Sequence, residues 1–160
     1  MKTAVYGIGN ILMGDDGIGP AVVRYLESCL TVDDDLTIED LGTPSLDLPN
    51  YLAGYDRVIF VDAVAAPAPP GSVCLFTREE IIAVSPGIRV SPHEPSINDA
   101  LIVMDFAGNA PAEVTLVGVV PETLDGGLEL SDAVSRAIPA AAEAVMGELA
   151  KRGPERVALY

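Results

Sequence analysis

Val58-Ile59-Phe60-Val61-Asp62-Ala63 decides the fold. Four consecutive apolar residues leave no face for water, which is how a central strand of a parallel sheet reads. An aspartate follows at once, and a carboxylate beside a buried strand is costly unless it is paired or put to use. Working outward, residues 3–7 (TAVYG) form a second short apolar run cut by glycines, and residues 114–120 (VTLVGVV) a third. Residues 36–40 (LTIED) alternate as a strand does, and residues 73–76 read as an edge strand. Ile18, Val22, Leu26 and Leu30 recur every four residues and predict a helix over 18–30. Ser96-Ile97-Asn98-Asp99 resembles a capping box, and Ile97, Leu101 and Met104 stripe the helix after it. Val134, Ile138, Ala141, Val145 and Leu149 predict a last helix over 131–152, which Pro139 either kinks or truly starts. A short helix over 45–53 is weakened by Pro49. Strands alternating with helices give an α/β three-layer sandwich. Its five-stranded sheet is mostly parallel, with residues 73–76 as the antiparallel member and helices on both faces. The Pro-rich stretch 65–71 is a stiff loop, since core-like sequence resumes at once, so residues 1–160 read as a single domain.

Composition narrows the function. Apolar residues make up 49% of 160, enough for a core. Nine basic residues against 24 acidic ones leave a net charge of −15, which repels nucleic acid and anionic membranes. A cationic partner, a bound metal or a salty cytoplasm fits better. No apolar stretch approaches the ~18–20 residues that cross a bilayer, and the opening MKTAVYGIGN reaches glycine too soon for a signal-peptide core. Cys29 and Cys74 are too few for a disulfide scaffold and read as reduced core residues of a cytoplasmic protein. No heptads or long apolar edge demand association, so the expectation is a monomer.

Parallel sheets place their sites beyond the carboxyl ends of the strands. The first strand runs there into Gly7-Ile8-Gly9-Asn10-Ile11-Leu12-Met13-Gly14-Asp15-Asp16-Gly17-Ile18-Gly19, the second ends at Asp40-Leu41-Gly42-Thr43, and the third at Asp62-Ala63. Each therefore delivers carboxylates to one rim. His93, the single histidine, lies in Ser91-Pro92-His93-Glu94 where the chain returns toward that rim. Two carboxylates and an imidazole form an open site for a borderline divalent ion, with water or substrate completing the shell. Each residue also has a plainer role. Asp15 and Asp16 precede a helix and are typical caps, Asp40 suits a turn, and a lone histidine beside proline is often an ordinary loop residue. A dinucleotide site fits poorly. Gly7-x-Gly9 is followed by Leu12 at the third glycine position, and Asp40 lies 33 residues past Gly7 where ~20 is expected. There is no Walker A lysine, Gly-x-Ser-x-Gly elbow or Cys–His nucleophile spacing.

The stretch 7–19 closely resembles that of the hydrogenase maturation endopeptidases, which process the large subunit of nickel–iron hydrogenases. The likeness continues through Asp40-Leu41-Gly42-Thr43, Val61-Asp62-Ala63, Ser91-Pro92-His93 and Leu116-Val117-Gly118-Val119-Val120-Pro121-Glu122-Thr123-Leu124, in order and spacing. The resemblance implies an endopeptidase with no serine or cysteine nucleophile. It would remove a C-terminal extension from the large-subunit precursor once nickel is in place. It places the metal-contacting, catalytic residues at Asp16, Asp62 and His93. The first is often glutamate in the family, so the shorter Asp16 needs a loop shift or a bridging water, and Asp15 is its nearest rival. Asp15, Asp40 and Thr43 are candidate substrate-loop residues. The implied nickel is carried by the substrate, and other divalent metals would occupy the site in vitro. The rival reading from another class is a nickel-binding maturation chaperone with no hydrolytic activity.

Overall fold

The computed structural model describes residues 1–83 and 97–151. Strands β1 (Thr3–Ile8), β2 (Leu36–Gly42), β3 (Arg57–Ala63), β4 (Val73–Thr77) and β5 (Glu113–Val119) form one sheet in the order β2-β1-β3-β5-β4. The first three neighbour pairs are parallel and β4 runs antiparallel to β5, as the sequence predicts. Every residue of β1 and β3 is buried, so these are the central strands.

Period-two alternation sorts the strand residues onto two faces. Val5, Ile59, Val61, Val117 and Val119 pack with Ile18, Val22 and Leu26 of α1 (Ile18–Cys29) and Val134, Ala141 and Val145 of α5 (Asp132–Ala150). Tyr6, Ile8, Val58, Phe60 and Leu116 face the other way. They pack against Leu48 and Leu52 of α2 (Leu48–Leu52), Ile81 of α3 (Arg78–Ala83) and Ile97, Leu101 and Met104 of α4 (Ile97–Ala107). Each of these fully buried side chains contributes on the order of 1.5–3 kcal/mol, which is why both helix layers are held to the sheet.

Four local readings change. The helix α3 was not expected; six residues opening on Arg78-Glu79-Glu80 carry too little periodicity to show. The helix α5 begins where the spacing predicts, capped by Ser131, whose hydroxyl accepts the Val134 N–H, and runs on through Pro139, which therefore does not start it. Pro139 is exposed there, so the carbonyl it leaves without a partner faces water. Pro49 sits in the first turn of α2, where a missing N–H costs nothing. The cysteines are free but are not core residues: Cys29 is exposed and Cys74 half-buried.

The amino end of the sheet carries a basic anchor. Arg57, 7% exposed, pairs with Glu113 at 2.8 Å across β3 and β5, and donates to the carbonyls of Glu148 (3.2 Å) and Lys151 (2.9 Å) at the end of α5.

Candidate active site

From β1 the chain passes through α1 to β2 on one side, then returns through α2 to β3 on the other. Connections that diverge from adjacent strands open a crevice beyond the strands' carboxyl ends. Residues 9–17 after β1 and Asp62-Ala63 at the end of β3 flank it. Two glycines make the close approach possible. Gly9 has φ +148°, and a Cβ there would stand 1.8 Å from the Asp16 carbonyl oxygen. A Cβ on Gly19 would stand 2.3 Å and 2.4 Å from the carbonyl oxygens of Ile8 and Val61, so the start of α1 lies directly on the ends of β1 and β3. The short 3-10 helix Gly14–Gly17, which carries Asp15 and Asp16, is thereby seated against β3.

The two aspartates of this turn do different things. Asp15 is completely buried. Its Oδ1 accepts the Ser131 N–H (2.7 Å), and its Oδ2 accepts the Glu122 N–H (2.8 Å), the Thr123 N–H (3.1 Å) and the Ser131 hydroxyl (2.8 Å). Burial pushes its pKa up, but the hydrogen bonds from Ser131, Thr123 and Glu122 outweigh it and hold the carboxyl below its usual value. Asp16 is 5% exposed, and its Oδ2 accepts the Asn10 N–H at 2.8 Å. Among the described residues its Oδ1 accepts no hydrogen bond. Asp62 is 1% exposed, follows Val58 and Phe60 onto the face that α4 covers, and accepts the Ala63 N–H on Oδ1 at 2.9 Å. Asp16 thus lies in the turn seated against β3, and Asp62 near the carboxyl end of β3 itself. His93 lies outside the described residues, and among those described no three His, Cys, Asp or Glu side chains are grouped to hold a metal.

Asp40 adopts the turn role, accepting the Gly42 N–H at 2.8 Å where Gly42 has φ +58°, with Thr43 exposed beside it. The Gly42 carbonyl takes the Gly9 N–H at 2.8 Å, so this turn borders the first loop. Residues 122–131 complete the rim. Gly14 N–H donates to the Gly127 carbonyl (3.0 Å), Gly127 N–H to the Leu12 carbonyl (2.9 Å) and Asp15 N–H to the Thr123 carbonyl (3.1 Å). Ile11, Leu12, Met13 and Leu128 project into solvent from these two paired loops.

Charge is segregated along the strands. Among the described residues, the rim segments 9–17, 40–43, 62–63 and 122–131 contain no Lys or Arg, whereas Lys2, Arg57 and Lys151 mark the opposite end. Neither Arg57 nor the Asp15–Ser131 contact was singled out from sequence. For Arg57 a signal exists: Arg57 and Glu113 are opposite charges standing just before the two apolar runs that pair. For Asp15 none does, because its partners lie 107 to 116 residues away.

A carboxylate-edged crevice at a topological switch point is a place where a substrate or ligand can bind. Comparison with known proteins is specific. The family described as hydrogenase maturation protease (HycI) matches residues 20–148. The hydrogenase 2 maturation protease of Escherichia coli is 34% identical over 98% of this chain and 96% of its own length. The hydrogenase expression/formation protein HupD of Rhizobium leguminosarum is 33% identical over 95% of this chain and 76% of that protein. Among solved structures, the hydrogenase maturating endopeptidase HybD from E. coli superposes with a TM-score of 0.86 at 35% identity, covering 93% of this chain and 92% of that one. The nickel–iron hydrogenase maturation protease HybD from Thermococcus kodakarensis gives 0.71 at 29% identity, covering 94% and 100%. The chain belongs to the hydrogenase maturation protease family, and it is a peptidase.

Proposed function

We propose that this chain removes the C-terminal extension of a nickel-loaded hydrogenase large-subunit precursor, acting in the cytoplasm as a monomer of one domain. The observation that supports it most is the placement of Asp16 and Asp62, two nearly buried carboxylates, at the carboxyl ends of the adjacent central strands β1 and β3 in a chain of this family. Nickel is part of the substrate in this reading. Asp16 Oδ1, the Asp62 carboxylate and the His93 imidazole would contact it, an O/N donor set suited to a borderline divalent ion. Asp15 is the weaker choice of ligand because its oxygens already accept four hydrogen bonds. The enzyme's own contribution is positioning: once the precursor's metal is held by the rim, the peptide bond to be cut is fixed relative to the attacking water. Ile11, Leu12, Met13 and Leu128 offer apolar surface to the precursor chain beside the cleavage point.

Incubation with nickel-loaded precursor, followed by mass spectrometry of its C-terminus, tests the proposal. Loss of a C-terminal peptide from the nickel-loaded form alone is expected. Binding with no change in mass would favour the chaperone reading, and equal cleavage of metal-free precursor would remove nickel from the recognition step.

A further inference from the structure

Asp15 stands next to the proposed metal-contacting Asp16, yet every hydrogen-bond partner of its carboxylate belongs to the far side of the rim. Its carboxylate is fully buried and gathers three N–H groups and one hydroxyl from Glu122, Thr123 and Ser131. Two carboxylate oxygens offer about four acceptor directions, so this group is filled. The same two loops are stitched by backbone hydrogen bonds at Gly14, Gly127 and Asp15. They also approach too closely for any residue but glycine at position 14, where φ is +56° and a Cβ would lie 2.8 Å from the Asp125 carbonyl oxygen. Ser131 is shared between two tasks. Its hydroxyl donates to Asp15 Oδ2 and accepts from Val134 N–H at 3.4 Å, so the start of α5 and the Asp16 turn are fixed by one side chain. A 3-10 turn of four residues has little stability of its own, and the direction in which Asp16 points therefore depends on this contact.

We propose that Asp15 is a positioning residue of the peptidase site: through Ser131, Glu122 and Thr123 it holds the Asp16 turn and the Ile11–Met13 lip in the geometry that engages substrate. This rests on the role given above to Asp16. A displacement of about 1 Å in such a group lowers rates by up to ~100-fold.

The test uses Asp15→Asn, Ser131→Ala and Ser131→Thr in the full chain, with two readouts. The first is amide exchange at Asn10, which donates to Asp16 Oδ2, and at Gly127, compared with Phe60 and Val61 in β3. The second is kcat/KM for nickel-loaded precursor, corrected for the folded fraction. Asp15→Asn and Ser131→Ala are expected to speed exchange at Asn10 and Gly127 but not in β3. They should lower kcat/KM at least ~10-fold, and Ser131→Thr, which keeps the hydroxyl, should restore both. Unchanged exchange at Asn10, or kcat/KM within twofold of wild type despite a lower melting temperature, would reduce Asp15 to a structural brace. If wild type itself leaves the precursor uncut, the proposed function fails, while the exchange readout still reports whether Asp15 holds the Asp16 turn. Should Asp15→Asn not fold, Ser131→Ala alone decides.

Discussion

Arg57→Met separates what holds the fold from what performs the chemistry. Methionine keeps most of the aliphatic stem and removes three donors: one to the Glu113 carboxylate and two to carbonyls at the end of α5. Hydrogen bonds to charged groups contribute ~1.5–3 kcal/mol each, so the gross loss is roughly 5–9 kcal/mol. Two effects reduce it. The cost of burying the guanidinium disappears with the charge, and the Glu113 side chain, 35% exposed, can return to water. A net destabilisation of about 2–3 kcal/mol remains, or roughly 4–12 °C in melting temperature for a chain of this size. Urea denaturation followed by circular dichroism measures it, alongside precursor cleavage below the transition. Because Arg57 begins β3 and Asp62 nearly ends it, kcat/KM per folded molecule should stay within twofold. A loss of stability under ~0.5 kcal/mol would show that the buried pair nets nothing; a collapse of cleavage in a folded variant would show that the two ends of the sheet are not independent.

Further perturbations act at the rim. Asp62→Asn and Asp16→Asn are expected to keep the circular dichroism spectrum and abolish processing of nickel-loaded precursor; normal processing by either variant takes that residue out of the site. Leu12→Asp and Leu128→Asp change exposed positions, so stability should move by less than ~0.5 kcal/mol while KM for the precursor rises, and an unchanged KM would mean the lip does not touch substrate. The Asp15 carboxyl is held below its unfolded value of 3.8, so its stabilising contribution is complete above that value and is lost as pH falls through the lower folded one. Acidification toward that range should therefore destabilise wild type more steeply than Asp15→Asn, and equal slopes in urea titrations would contradict the assignment.

Much of this architecture is legible without coordinates because it rests on local pattern. The run at residues 58–61 can only be a strand buried on both faces, and the four-residue spacing from Ile18 to Leu26 can only place one stripe of α1 on the sheet. The carboxyl-end rule then puts Asp16, Asp40 and Asp62 on one rim before any distance is known. What escapes is whatever depends on partners distant in sequence. Asp15 reads locally as a cap, yet its carboxylate bonds only to Glu122, Thr123 and Ser131 and to nothing in α1. Arg57 reads as a strand flank, yet it binds the last turn of α5. Pro139 misleads for the opposite reason: tertiary packing of Val134, Ala137, Ala141 and Val145 against the sheet outweighs one lost backbone hydrogen bond on an exposed face.

The claim on which the account depends is that Asp16 and Asp62 take hold of one metal ion. Anomalous diffraction from crystals soaked in cadmium, a divalent ion that can stand in for the precursor's nickel, examines it most directly. A single strong peak within coordination distance of Asp16 Oδ1 and the Asp62 carboxylate, absent in Asp62→Asn, is the predicted result. Peaks only elsewhere on the acidic surface, or a peak at the rim that survives loss of the Asp62 charge, would contradict it.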